Sequence, residues 1–137
     1  MKLPPSNVDT FRHKPVHAVS ALLPDEQSTV AACQDLDNAG FEVTQAQILR
    51  GEEGARILDR RGTQHGHAAH LVRTLQRLGM DDNSLDVYDE ALRNGETLIS
   101  IPCASDSARD VAYMLEIHGG HAMYYWGRGT REVLSAP

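Results

Sequence analysis

"ETLISIPCASDSARDVAYMLEIHGGHAMYYWG", residues 96–127, is the stretch on which the fold turns. "ETLISIP" is a short apolar run stopped by Pro102, the pattern of a strand. The segment from Ser105 to Gly119 changes to a helical period. Ala108, Val111, Ala112 and Leu115 recur at i, i+3, i+4 and i+7, with Ser105 or Asp106 placed to cap the start and Gly119 to stop the end. "HAMYYWG" (121–127) then closes the unit as a second strand. Alternation puts His121, Met123 and Tyr125 on one of its faces and Ala122, Tyr124 and Trp126 on the other.

The same order occurs earlier in the chain. "VHAVSALL" (16–23) reads as a strand that is apolar on both faces. A helix follows over "PDEQSTVAACQDLDNAG" (24–40), with Pro24, Asp25 and Glu26 suited to the positive end of its dipole. Thr29, Ala32, Cys33 and Leu36 form its buried stripe, Gly40 stops it, and "FEVTQAQIL" (41–49) reads as the next strand. The stripe and the terminal glycine of this unit match those of the later one position for position. Two β-α-β halves with right-handed crossovers predict an α+β domain. The expected architecture is the ferredoxin-like split β-α-β, with helices on one face of the sheet.

Residues 51–95, between the halves, predict an inserted helical pair. "GEEGARILDRRG" (51–62) holds one helical turn or two, ended by Gly62. "HAAHLVRTLQRLG" (67–79) is amphipathic through Ala68, Leu71, Val72 and Leu75. "NSLDVYDEALRNG" (83–95) is a further helix, with Asn83 or Ser84 as cap, Leu85, Tyr88 and Leu92 buried, and Gly95 as stop. The expected organisation is an N-terminal arm at 1–15, a single domain at 16–127 and a C-terminal tail at 128–137. A sheet with one bare face buries it against helices or a partner, so a homodimer is expected.

The chain has 137 residues and a net charge of −6, which fits one domain and argues against a general nucleic-acid binder. Lysine occurs only at Lys2 and Lys14, so the folded part relies on arginine. Cys33 and Cys103 form no Cys-x-x-Cys pair and read as small buried thiols in a reducing compartment. Cys103 also precedes a helix start, a position that can lower a thiol pKa. No apolar run approaches the ~18 residues of a membrane span, and the N-terminal stretch has no signal-peptide core, so a cytoplasmic location is expected.

"RRGTQHGHAAH" (60–70) brings His65, His67 and His70 close together in sequence. On a helix His67 lies about 80° from the apolar stripe and His70 about 140° from it, so the rings do not converge. Their i, i+3 spacing is also not the i, i+4 of a helical zinc motif. Three readings stay open: solvated or capping histidines, a metal cluster of His65, His67 and His70 with Asp59 nearby, or an anion corner. The last would use Arg60, Arg61, the close-approach glycines 62 and 66, and free N–H groups at a helix start. The second constellation is "HGGHAMYYWGRG" (118–129), where Tyr124, Tyr125 and Trp126 serve as core, dimer interface or ligand platform, and Arg128 adds a fixed charge. No nucleophile elbow, phosphate loop or dinucleotide fingerprint is present.

The strand-helix-Gly-strand opening, "LDVYDEALRNGETLISIP" and the closing helix resemble the bacterial general-stress, or heat-induced stress, protein domain. "GEEGARILDRRGTQHG" and "GGHAMYYWGRGTREVL" also resemble a set of uncharacterised bacterial proteins. Their shared pattern falls here on Leu58, Asp59, Gly62, His65 and Gly66, then on Gly120, His121, Tyr125, Trp126, Gly127 and Arg128. The resemblance implies a small cytoplasmic protein with a ferredoxin-like core and no established activity.

The expectation is therefore a non-enzymatic stress-related or regulatory module that binds a small anionic ligand or a partner protein. Its candidate site is Asp59, Arg61, His65, His121, Tyr125 and Arg128. The alternatives are a small enzyme, with His65 or His121 as general base oriented by Asp59, and a metal binder built on His65, His67 and His70. The sequence assigns no cofactor.

Overall fold

β1 (Ala18–Leu23) runs through the middle of the sheet and is buried along its whole length, as its apolar residues on both faces require. The computed structural model describes residues 17–64, 82–127 and 130–134. After β1 come α1 (Glu26–Asn38), β2 (Gln47–Arg50), α2 (Gly51–Gln64), α3 (Asp82–Arg93), β3 (Thr97–Pro102), α4 (Ala108–Ile117), β4 (His121–Gly127) and β5 (Thr130–Val133). The strands lie in the order β2-β3-β1-β4-β5, and every neighbouring pair is antiparallel. The fold is α+β. The arm at 1–15, the helix expected at 67–79, Arg128 and the last residues of the tail lie outside the described residues.

The two matched stripes are buried as read: Thr29, Ala32, Cys33 and Leu36 of α1, and Ala108, Val111, Ala112 and Leu115 of α4. Both helices cover the same face of the sheet, over Val19, Ala21, Leu23, Ile99 and Ile101. They also end alike. Gly40 and Gly119 sit at φ +94 and +89, a left-handed conformation that glycine adopts without Cβ strain. The next residue's N–H then reaches back five residues, from Phe41 to the Leu36 carbonyl and from Gly120 to the Leu115 carbonyl. The α1 start is capped by the Asp25 carboxylate, which accepts from the Ser28 N–H at 2.7 Å.

Several elements depart from the sequence reading: β5 forms within the stretch expected as a C-terminal tail and pairs with β4, and α3 starts at Asp82, ahead of the expected cap at Asn83 or Ser84. The strand expected at 41–49 is confined to Gln47–Arg50, because Phe41 closes the helix end and Val43–Gln45 forms a single 3-10 turn. Val43 is buried from that turn, so its apolar alternation with Phe41 is satisfied without a strand. α2 continues through Gly62 to Gln64; an interior glycine costs only about 1 kcal/mol and does not oblige a helix to stop. At α4, a 3-10 turn at Ser105–Ser107 precedes the helix, and Ser107 rather than Ser105 or Asp106 is the N-cap residue.

The insertion covers the second face of the sheet. Ala55, Ile57 and Leu58 of α2, with Tyr88, Ala91 and Leu92 of α3, pack on Leu22, Leu49, Leu98, Tyr124 and Trp126. The expected bare face is therefore absent, and with it the original reason for a dimer. At the centre of this layer the Trp126 indole N–H donates to the Ser20 hydroxyl at 2.8 Å, and the Tyr88 hydroxyl lies 3.3 Å from the same oxygen. Tyr124 meets Trp126 edge-on, with ring centroids 5.9 Å apart. Among the described residues no helix is long and apolar enough to cross a membrane.

Candidate functional site

Of the residues expected to form one site, Asp59 and Arg61 lie in the second half of α2, and His121 and Tyr125 lie on β4. His65 and Arg128 lie outside the described residues, as do His67 and His70 of the alternative metal cluster. β4 does not bring its two members together. Tyr125 pairs with Val19 near the start of β1, and His121 with Leu22 near its end.

The two residues also face opposite ways. The register slips between Ser20 and Leu22, where β4 carries one extra residue, and Ala122 sits there at φ +51. His121 thus stands opposite Leu22, on the α2–α3 face, instead of alternating with Met123 and Tyr125. Its Nε2 hydrogen-bonds Glu96, the residue just before β3. A carboxylate therefore does orient His121, and it is that of Glu96. Across the diglycine turn, His118 Nε2 bonds the Asp35 carboxylate of α1 at 2.6 Å. Both pairs are partly open to solvent, so each contributes up to about 1 kcal/mol. With both imidazoles engaged by carboxylates, this corner fastens α4 to α1 and β4 to the start of β3.

Tyr125 occupies a different corner, on the α1–α4 face. It is 6% exposed, and its hydroxyl lies 3.1 Å from His17 Nδ1. His17 is held at φ +57, a region that residues with a Cβ seldom enter. Two backbone bonds hold it there: its N–H donates to the Trp126 carbonyl at 2.7 Å, and its carbonyl accepts from the Cys103 N–H at 3.0 Å. Ser105, instead of capping α4, hydrogen-bonds the phenol oxygen. Burial raises the Tyr125 pKa, nearby Cys103 and Asp106 add to the rise, and the Ser105 bond opposes it. Tyr125 therefore remains a neutral phenol near pH 7.

Cys103 borders this corner, and its thiol is pushed up to about 11. Burial is the largest cause, and the Asp106 carboxylate adds to it, against a backbone hydrogen bond from Val19. The lowering suggested by the nearby helix start does not occur, because desolvation outweighs the dipole of a helix that begins five residues later. Alkylation reads this directly. At pH 8, Cys103 is expected to react with iodoacetamide roughly a hundredfold more slowly than a free thiol of pKa ~8.5, and to accelerate as pH is raised toward its pKa. A rate equal to that of free cysteine at pH 8 contradicts the assignment.

The corner thus gathers an imidazole, a buried phenol, a serine hydroxyl and a protonated thiol beside the start of α4, whose Ser107 provides no side-chain cap. The phenol, the hydroxyl and the thiol are neutral hydrogen-bonding groups, suited to holding a ligand rather than to nucleophilic attack. His17, Glu96 and Asp35 were not singled out from the sequence. A histidine before a strand carries no signal, and the two carboxylates become partners only through long-range contacts. Among the described residues no group of three or more His, Cys, Asp and Glu side chains could hold a metal ion. No protein-family model, curated protein or solved structure matches the chain.

Proposed function

We propose that the chain is a non-enzymatic regulatory module that self-associates and binds a small anion at the Tyr125–His17 corner. One observation carries the reading: a non-glycine residue is held in left-handed backbone with its ring on a buried hydroxyl. Such strain persists where the surroundings over-determine it, and it concentrates at ligand sites. The donors around it suit an anion, while Asp106 and Asp110 at the same helix start disfavour a multiply charged one. The favoured class is therefore a small monoanion such as a carboxylate.

The strand order, with two β-α-β units and antiparallel pairing, supports a ferredoxin-like reading in which β5 and the helical insertion are additions. The stress-related role is supported by the general-stress likeness of the segments quoted above. Two free thiols fit a reducing, cytoplasmic location.

Titration of the full chain with acetate, followed by NMR of the His17 ring, tests the site. A saturable shift is expected, with affinity reduced about tenfold in Tyr125→Phe, the equivalent of one hydrogen bond. A ring signal that does not move as acetate and inorganic phosphate are added overturns the proposal.

A further inference from the structure

Helix α4 turns Val111, Ala112 and Leu115 inward, yet its outer side carries Tyr113 and Ile117 at 65% and 59% exposure. These are the two most exposed large apolar side chains among the described residues. Exposed Arg109 near the start of the helix and exposed Glu116 near its end lie on the same side. At 100° per residue the four fall within a sector of about 100°. Asp110 lies at one border of that sector, beside Ile117. The Arg109 guanidinium is steadied from β5, where the Glu132 carboxylate accepts from it at 3.2 Å while the arginine stays open to solvent.

We propose that α4 docks antiparallel on α4 of a second copy, about a two-fold axis at Tyr113. The arrangement is self-complementary: Arg109 of each chain meets Glu116 of the other, the two Tyr113 rings meet at the axis, and each Ile117 flanks them one helical turn away. A parallel pairing would set arginine against arginine and glutamate against glutamate, so the charge order selects the antiparallel one. This names the surface of the self-association proposed above and is independent of the ligand corner. It also lies away from the face filled by α2 and α3. A contact of a single short helix buries well under 1,000 Å², which makes a weak dimer with Kd of order 10–100 µM.

Sedimentation equilibrium of the full chain, from about 5 to about 500 µM, tests this. The unmodified chain is expected to dimerise across that range. Arg109→Glu and Glu116→Arg are each expected to weaken the dimer at least tenfold, since each sets like charges together twice. An equimolar mixture of the two variants restores both attractive contacts and is expected to recover the dimer. Both substitutions also place the favourable sign at their end of the helix dipole, so helix melting does not account for a loss. Circular dichroism checks this. A chain that stays monomeric throughout removes the self-association and this surface together. A dimer indifferent to the two variants, or a mixture that fails to recover it, removes the surface alone.

Discussion

Trp126→Ala is expected to cost about 3–5 kcal/mol, a large part of the stability of a domain of this size. The side chain is 2% exposed at the centre of the α2–α3 layer, so its removal leaves a cavity that neither helix fills without losing its own contacts. A second loss adds to the volume. Ser20 is 3% exposed and accepts the indole N–H, and without it the hydroxyl keeps only the longer contact to Tyr88. Trp126→Phe separates the two effects. It retains most of the ring volume, removes the donor and should cost about 1–3 kcal/mol. In thermal unfolding this corresponds to a fall of roughly 10–20 °C for the alanine variant and clearly less for phenylalanine. Equal falls for the two would mean that the hydrogen bond, not the packing, joins the insertion to the sheet.

The parts of this fold that are legible in the sequence are those set by local periodicity. The stripes of α1 and α4 and their terminal glycines needed no tertiary information, because four residues on one helical face and a left-handed stop are local facts. Burial of Tyr88 and Leu92 likewise followed from the helical period of their segment. Phe41 and Val43 misled because two apolar residues two apart fit a helix wrap and a 3-10 turn as well as a strand.

His121 misled for another reason. Alternation assumes an unbroken strand, and an alanine at φ +51 is not a residue that announces a bulge. That single slip separates His121 from Tyr125 and divides the expected site. The Tyr125 corner was half legible: its tyrosine follows from strand parity, but His17 enters only because β1 lies between β3 and β4.

Gly120→Ala is expected to destabilise the chain by about 3 kcal/mol, through contact with backbone rather than through conformational strain. A Cβ at this position would lie 2.7 Å from the Leu115 carbonyl oxygen and 2.9 Å from its carbon. The same oxygen accepts the Gly120 N–H at 2.8 Å, so relieving the clash breaks the bond that closes α4. Gly119→Ala meets a different obstacle. Its φ of +89 strains any side chain, but its nearest neighbour is the Pro24 ring at 3.0 Å, which can yield. About 1–2 kcal/mol is expected there. The order of the two is the informative outcome, since a rule based on positive φ alone predicts the reverse. The diglycine turn also sets His118 over Asp35 and His121 over Glu96, so Gly120→Ala should perturb both imidazole signals in NMR. Gly119→Ala should move chiefly that of His118. If Gly120→Ala unfolds within about 0.5 kcal/mol of the parent chain, the turn adapts, and the two histidine pairs are not held by it.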